Sequence, residues 1–309
     1  MTCILNIDNL SVFYGNKQAL KKLSLEIEKG DFVGLLGSNG AGKSTLVNAM
    51  VGFQKATTGT VLYNIEEFQT KKNLFSAFGF SPQTSVMDYY TTVWDNVMLG
   101  VNLAGKKGRI ADELCTLALK TVRLLDKKDE LVESLSGGQL QRVQIARAIA
   151  HKPDIYILDE PTVGLDVESS EIFLDYLKSE SEAGKTIIVS SHDIQLLEMF
   201  CTKILFLKEG EAVFWGNIDD FIDNSINAIH VTFKNKLTVE QSEWLKEYKF
   251  PVEIKDSKNC VVHLPKSYSM IIIVQDFSKL SEVESVYIKD KGLRETYLEK
   301  VKKENVSHD

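Results

Sequence analysis

The chain has 309 residues, 44% of them apolar and 26% charged, with a formal net charge of −7 at pH 7. That is the balance of a folded globular protein of about two domains. An acidic net charge repels phosphate backbones and argues against nucleic acid as the main partner.

The first residues, Met1-Thr2-Cys3-Ile4-Leu5-Asn6, lack the basic start and apolar core of a signal peptide. No apolar run, Met270 to Val274 included, approaches the roughly 20 residues a bilayer-spanning helix needs. Any membrane role is therefore expected to go through a partner. Residues 31–36, DFVGLL, predict a buried strand, and residues 45–51, TLVNAMV, predict a helix with Leu46, Ala49 and Met50 on one face. Between them Gly37-Ser38-Asn39-Gly40-Ala41-Gly42-Lys43-Ser44 fits G-x-x-x-x-G-K-[ST] in the strand–loop–helix context the motif requires. The glycines let successive N–H groups converge on one anion, and the helix start adds unpaired amides and a positive dipole end. Lys43 is placed to reach β- and γ-phosphates and the Ser44 hydroxyl to ligate Mg²⁺. The loop predicts a nucleotide triphosphate site but does not name a function.

Residues of about 84–150 read as mostly helical: 93–99, then 110–125 after the break Gly105-Lys106-Lys107-Gly108, then 140–150. In the last, Leu140, Val143, Ala146 and Ile149 form one apolar stripe, with Gln141, Arg142, Gln144 and Arg147 on the polar remainder. Ser136 is expected to cap that helix, with Gly137 and Gly138 exposing N–H groups at its start. Residues 155–160, IYILDE, read as a central parallel strand buried on both faces. Ligands bind at the carboxyl ends of such strands, which brings Asp159 and Glu160 near the glycine loop. Asp159 then suits Mg²⁺, and Glu160 suits general-base activation of water. Residues 186–191 predict another strand and 210–216 a hairpin-like end. Further on, strands are expected at 229–233, 252–254, 260–264 and 283–289, a short helix and linker at 219–224, and helices around Met270–Leu280 and at 293–301. Cys3, Cys115, Cys201 and Cys260 and the five histidines are dispersed, which points to reduced thiols rather than a disulfide or zinc framework.

In this order the motifs resemble those of the ATP-binding cassette subunits of ABC transporters, from about residue 3 to about residue 218, with Leu135-Ser136-Gly137-Gly138-Gln139 as the family's signature sequence. The resemblance implies an α/β fold, a P-loop NTPase cassette with a mixed sheet core and a helical subdomain. The cassette would occupy residues 1–218, and a small α/β accessory domain residues 219–309. It implies that Tyr14 stacks on adenine and that Gly37 to Thr45 (Gly37, Ser38, Asn39, Gly40, Ala41, Gly42, Lys43, Ser44, Thr45) hold the phosphates of ATP. Ser44, Gln83 and Asp159 would hold Mg²⁺, Glu160 would activate water, and His192 would contact the γ-phosphate. Ser136, Gly137, Gly138 and Gln139 would cap the nucleotide of a second cassette, with Gly164-Leu165-Asp166 crossing to that partner. Val163 and Val167 stand where relatives often have serine or asparagine and proline. With one copy of each half-site and no internal repeat, a homodimer is expected, and a heterodimer stays open. The implied partners are a transmembrane permease, gripped by the helical subdomain with Tyr89, Tyr90 and Trp94 as groove or core residues, and no nucleic acid. The implied place is the cytoplasmic face of the cell membrane. Residues 292–299, GLRETYLE, loosely resemble the tail of ATPase subunits of bacterial drug and antibiotic-peptide exporters, so export is the expected direction. The alternatives are an importer subunit, a soluble ABC protein acting on ribosomes or DNA, and an ATP-binding module without turnover.

Overall fold

In the computed structural model the chain begins with β1 (Cys3–Tyr14), paired antiparallel with β2 (Lys17–Glu28). The register slips between Ile7 and Leu10, where Asn9 takes a φ of 47°, so the inward-facing residues do not follow a strict period of two. Then come β3 (Phe32–Leu36), α1 (Lys43–Met50), β4 (Thr58–Tyr63) and β5 (Phe78–Ser81). The structure describes residues 2–64, 76–84, 86–222, 226–265, 268–289, 292–294 and 296–298. Helices α2 (Val93–Leu103), α3 (Gly108–Thr121) and α4 (Gly137–Ile149) follow, with two short 3₁₀ turns between the last two. β6 (Ile155–Asp159), α5 (Val167–Glu182), β7 (Thr186–Ser190), α6 (Ile194–Phe200), β8 (Lys203–Lys208) and β9 (Glu211–Asn217) complete the first of two units, Met1–Asn217.

Two sheets build this unit: β2-β1-β4, and a six-stranded sheet in the order β5-β6-β7-β3-β8-β9, parallel except for β9. Every residue of β3, β6 and β7 is buried, as an unbroken apolar run predicts for a strand covered on both faces. The core joins inward residues of β1 and β2 to β3, α1, β6 and β8, among them Leu10, Leu20, Leu46, Ile157 and Leu205. On α4 the expected polar face is corrected at one position: Gln144 is fully buried. It does not face water because its amide is taken up by backbone and side-chain groups around β5, as described below.

The second unit, Ile218–Asp309, opens with one helical turn, Ile218–Phe221. It continues as β10 (Ile226–Phe233), α7 (Val239–Lys246), β11 (Val252–Ile254), β12 (Asn259–Pro265), α8 (Ile271–Leu280) and β13 (Val283–Lys289). The antiparallel order β11-β12-β10-β13 makes this a βαββαβ, ferredoxin-like arrangement. Alternate residues Ile229, Val231 and Phe233 of β10 and Cys260, Val262 and Leu264 of β12 face Leu245, Ile273 and Phe277 of the two helices. Of the helix expected at 293–301, residues 293–294 and 296–298 are helical; Glu295, Glu299 and Val301 lie outside the described residues, as do Asp223 and Asn224 of the expected linker.

Candidate functional site

The glycine loop leaves the carboxyl end of β3 and turns into α1. Gly37 has a φ of 151°, and a Cβ there would lie 2.5 Å from the Leu207 carbonyl oxygen; at Gly42, φ is 109° and a Cβ would meet the Ala19 oxygen at 2.8 Å. Both positions therefore demand glycine. No side chain caps the start of α1 and no acidic residue occupies its first turn, so its amides and dipole remain available to an anion. Lys43 is buried, and its Nζ donates to the carbonyls of Gly37 (2.7 Å) and Ser38 (3.3 Å). Burial lowers its pKa, opposed by the carboxylates of Glu160 and Asp159.

Register brings those carboxylates level with the loop. Ser190 of β7 is paired with Asp159 of β6 on one side and with Leu35 of β3 on the other. Its hydroxyl donates to Asp159 Oδ1 (2.5 Å) and accepts the Glu160 N–H (2.9 Å), fixing both acidic residues to the neighbouring strand. Glu160 sits at φ 51°, a left-handed conformation that costs a non-glycine residue of order 1–3 kcal/mol. The His192 N–H donates to Glu160 Oε2 (3.1 Å), and His192 Nε2 lies 3.2 Å from Oε1. That Nε2 contact is close but not aligned, for Oε1 is buried and accepts no hydrogen bond among the described residues. Burial raises the Glu160 pKa; the imidazole, the His192 amide and Lys43 work against the rise, while Asp159 adds to it. A buried acceptor with a spare lone pair and a raised pKa is equipped to take a proton from water.

One open cleft of about 680 Å³ gathers most of the residues singled out in the sequence. Tyr14, Asn39, Gly40, Gly42, Lys43, Ser44, Thr45, Gln83, Asp159, Glu160 and His192 line it, together with Lys17, Gln18, Lys21 and Glu209, which sequence reasoning did not single out. Gly37, Ser38 and Ala41 belong to the same loop but are not among the residues that line the cleft. Ser44, Gln83 and Asp159 bring only oxygen and amide donors to the cleft, a hard set that suits Mg²⁺ shared with phosphate oxygens. Among the described residues no cluster of three or more His, Cys, Asp or Glu could hold a metal ion.

Ser136, Gly137, Gly138 and Gln139 are not in this cleft. Ser136 caps α4: its Oγ accepts from the Gln139 N–H (3.4 Å), and Gln139 Oε1 accepts from the Ser136 N–H (2.9 Å). The start of α4 rests on the turn after Glu160, with Gln141 Nε2 donating to the Pro161 oxygen (3.0 Å) and a Cβ on Gly138 coming 2.6 Å from the Gly164 oxygen. Two residues bonded to segments of the site were missed. Ser190 looked like an ordinary end of a strand, and Gln144 read as solvent-facing; strand register, which the sequence does not show, is what sets the Ser190 hydroxyl level with the two carboxylates.

The ABC transporter family profile matches residues 20–163. A methionine import ATP-binding protein of Bacillus anthracis is 35% identical over 226 residues, covering 71% of this chain and 64% of its own length. The matched stretch thus spans less than two thirds of that relative. A manganese transport system ATP-binding protein of Halalkalibacterium halodurans is 34% identical, with 71% of this chain and 88% of its own length covered. Among solved structures, a dimeric bacterial ABC transporter cassette superposes with a TM-score of 0.62 at 31% identity, over 69% of this chain and 98% of that one. The same cassette is also known as a dimer in a post-hydrolysis state bound to ADP and Pi. With a glycine loop, paired carboxylates and a capped signature helix in that family's order, the chain belongs to the ATP-binding subunits of ABC transporters, a family of ATPases.

Proposed function

We propose that this protein hydrolyses ATP to drive transport through a separate membrane-spanning permease, and that it works as a head-to-tail pair. The observation that carries the reading is the division of the site. Lys43, Ser44, Gln83, Asp159, Glu160 and His192 share one cleft, while the Ser136–Gln139 cap of the same chain lies elsewhere with its serine exposed. A second copy would bring its cap to this cleft and complete two equal sites. The exposed valines at 163 and 167, 59% and 76% accessible, support a surface that a partner covers.

Within the cleft, the loop amides and Lys43 bind phosphate and Tyr14 offers a ring to the base. Glu160 takes the proton of the attacking water, and His192, 3.2 Å from that carboxylate, steadies the phosphate being transferred. Mg²⁺, held by Ser44, Gln83 and Asp159, would neutralise charge on the β- and γ-phosphates. No helix of the described residues is long and apolar enough to cross a membrane, so attachment at the cytoplasmic face would run through the permease.

Export, the direction drawn from residues 292–299, gives way to import of a small solute. The methionine import protein and a manganese transport protein are among the most similar relatives, and the export likeness rests on one short segment of eight residues, 292–299. Ser136→Arg tests the paired site, because it fills the cap and leaves the cleft intact: ATPase activity should collapse while ATP binding persists. Unchanged activity would remove the sandwich. Uptake against efflux of solute in vesicles holding the co-purified permease decides the direction.

A further inference from the structure

Gln144 lies two turns into α4, midway between the Ser136 cap and the end of the helix, and is fully buried. Its Nε2 donates to Ser81 Oγ (3.2 Å) and to the Pro82 oxygen, and its Oε1 accepts the Val86 N–H (3.2 Å). Ser81 and Pro82 precede Gln83 and Val86 follows it. A single amide therefore fastens both ends of the loop that carries Gln83 to the cleft. Buried polar groups held this way are expensive to release, since each donor or acceptor would be left without water.

The helix and the turn that follows it grip the strand leading into that loop at two further points. His151, in the turn two residues past the end of α4, has Nε2 2.8 Å from the Phe78 oxygen. A Cβ on Gly79 would lie 2.4 Å from the Ala148 oxygen, so strand and helix approach as closely as backbones allow. Phe78, Gly79, Ser81, Pro82 and Val86 are thus attached in succession along α4, whose opposite end presents the serine cap.

We propose that Gln144 is a positioning residue that locks the placement of Gln83 in the nucleotide cleft to the helix presenting Ser136–Gln139. Any shift of one then moves the other, so Gln83 adopts its working position only when the cap helix is correctly oriented. This rests on the ATPase reading above. Lys43 and its loop belong to β3 and α1, so nucleotide binding itself does not depend on Gln144.

The test is a double-mutant cycle of Gln144→Leu and Gln83→Ala, with ATPase turnover, ATP Kd and the Mg²⁺ concentration for half-maximal activity as readouts. Gln144→Leu keeps the volume and removes all three bonds. It is expected to lower kcat about 10-fold, in the range that small misplacements of reacting groups produce, to raise the Mg²⁺ requirement, and to leave Mg²⁺-free ATP Kd unchanged. In the Gln83→Ala background the same change should have no further effect. If Gln144→Leu proves insoluble, Gln144→Glu, which keeps the acceptor for Val86 and removes both donors, should show the same non-additivity. Equal fold losses in both backgrounds, or wild-type kcat in the single variant, overturn the proposal. An inactive wild type would defeat the functional reading, and this assignment with it.

Discussion

Glu160 combines a strained backbone with a carboxylate that burial disfavours, and both features cost stability. Its folded pKa is raised, so its penalty is absent below the ordinary glutamate value of about 4.3. The penalty grows as pH rises through the raised value and is constant above it. Glu160→Gln removes that titration. The variant should melt at a higher temperature than wild type at pH 7.5, with the gain gone near pH 4, while turnover falls roughly 10²–10⁴-fold. Melting curves at the two pH values and a steady-state ATPase assay check both halves. The two carboxylates were legible in the sequence because an apolar run stops on them. The hydroxyl that orients them was not, since Ser190 sits thirty residues away in the chain and only strand register brings it alongside.

Elements differ in how openly the sequence announced them. β3, β6 and β7 are continuous apolar runs and were read within a residue or so of their ends, and α4 was anticipated down to its serine cap. β1 was missed because its bulge around Asn9 breaks the alternation that marks a half-buried strand. α5 was missed because its buried face mixes Ser170 with Phe173, Leu174 and Leu177. Gln144 was misplaced for a related reason: periodicity sorts side chains by polarity and cannot foresee a buried amide whose partners lie on another element. The turn after α4 also makes a prediction. His151 is buried with its pKa lowered, chiefly by burial, so the folded protein holds it neutral while the unfolded chain protonates near pH 6.5. Its contribution to stability is complete above that value and is lost as pH falls towards the folded pKa. Wild type should therefore lose melting temperature between pH 7 and 5 more steeply than His151→Leu, as thermal melts across that range would show.

At the scale of the molecule, every residue lining the nucleotide cleft belongs to Met1–Asn217, and Ile218–Asp309 has a core of its own. A chain ending at residue 217 is expected to fold and to be stabilised by about 2.7 kcal/mol when ATP is present at a hundred times its Kd. A thermal-shift titration of that fragment checks it; no shift would mean that the second unit is needed for the cleft to work. The length had suggested a two-part chain, but the ferredoxin-like order of the second part depends on pairings between distant strands that no local pattern reveals. The close seat of Gly138 on Gly164 has a further consequence for a symmetric pair. Each molecule's cap would be bolted to the turn beside its own Glu160, the base proposed above, so gripping one nucleotide would disturb the machinery serving the other. Fuel consumption should then be cooperative in ATP, and widening that seat by a single methyl group should make the two halves behave as strangers.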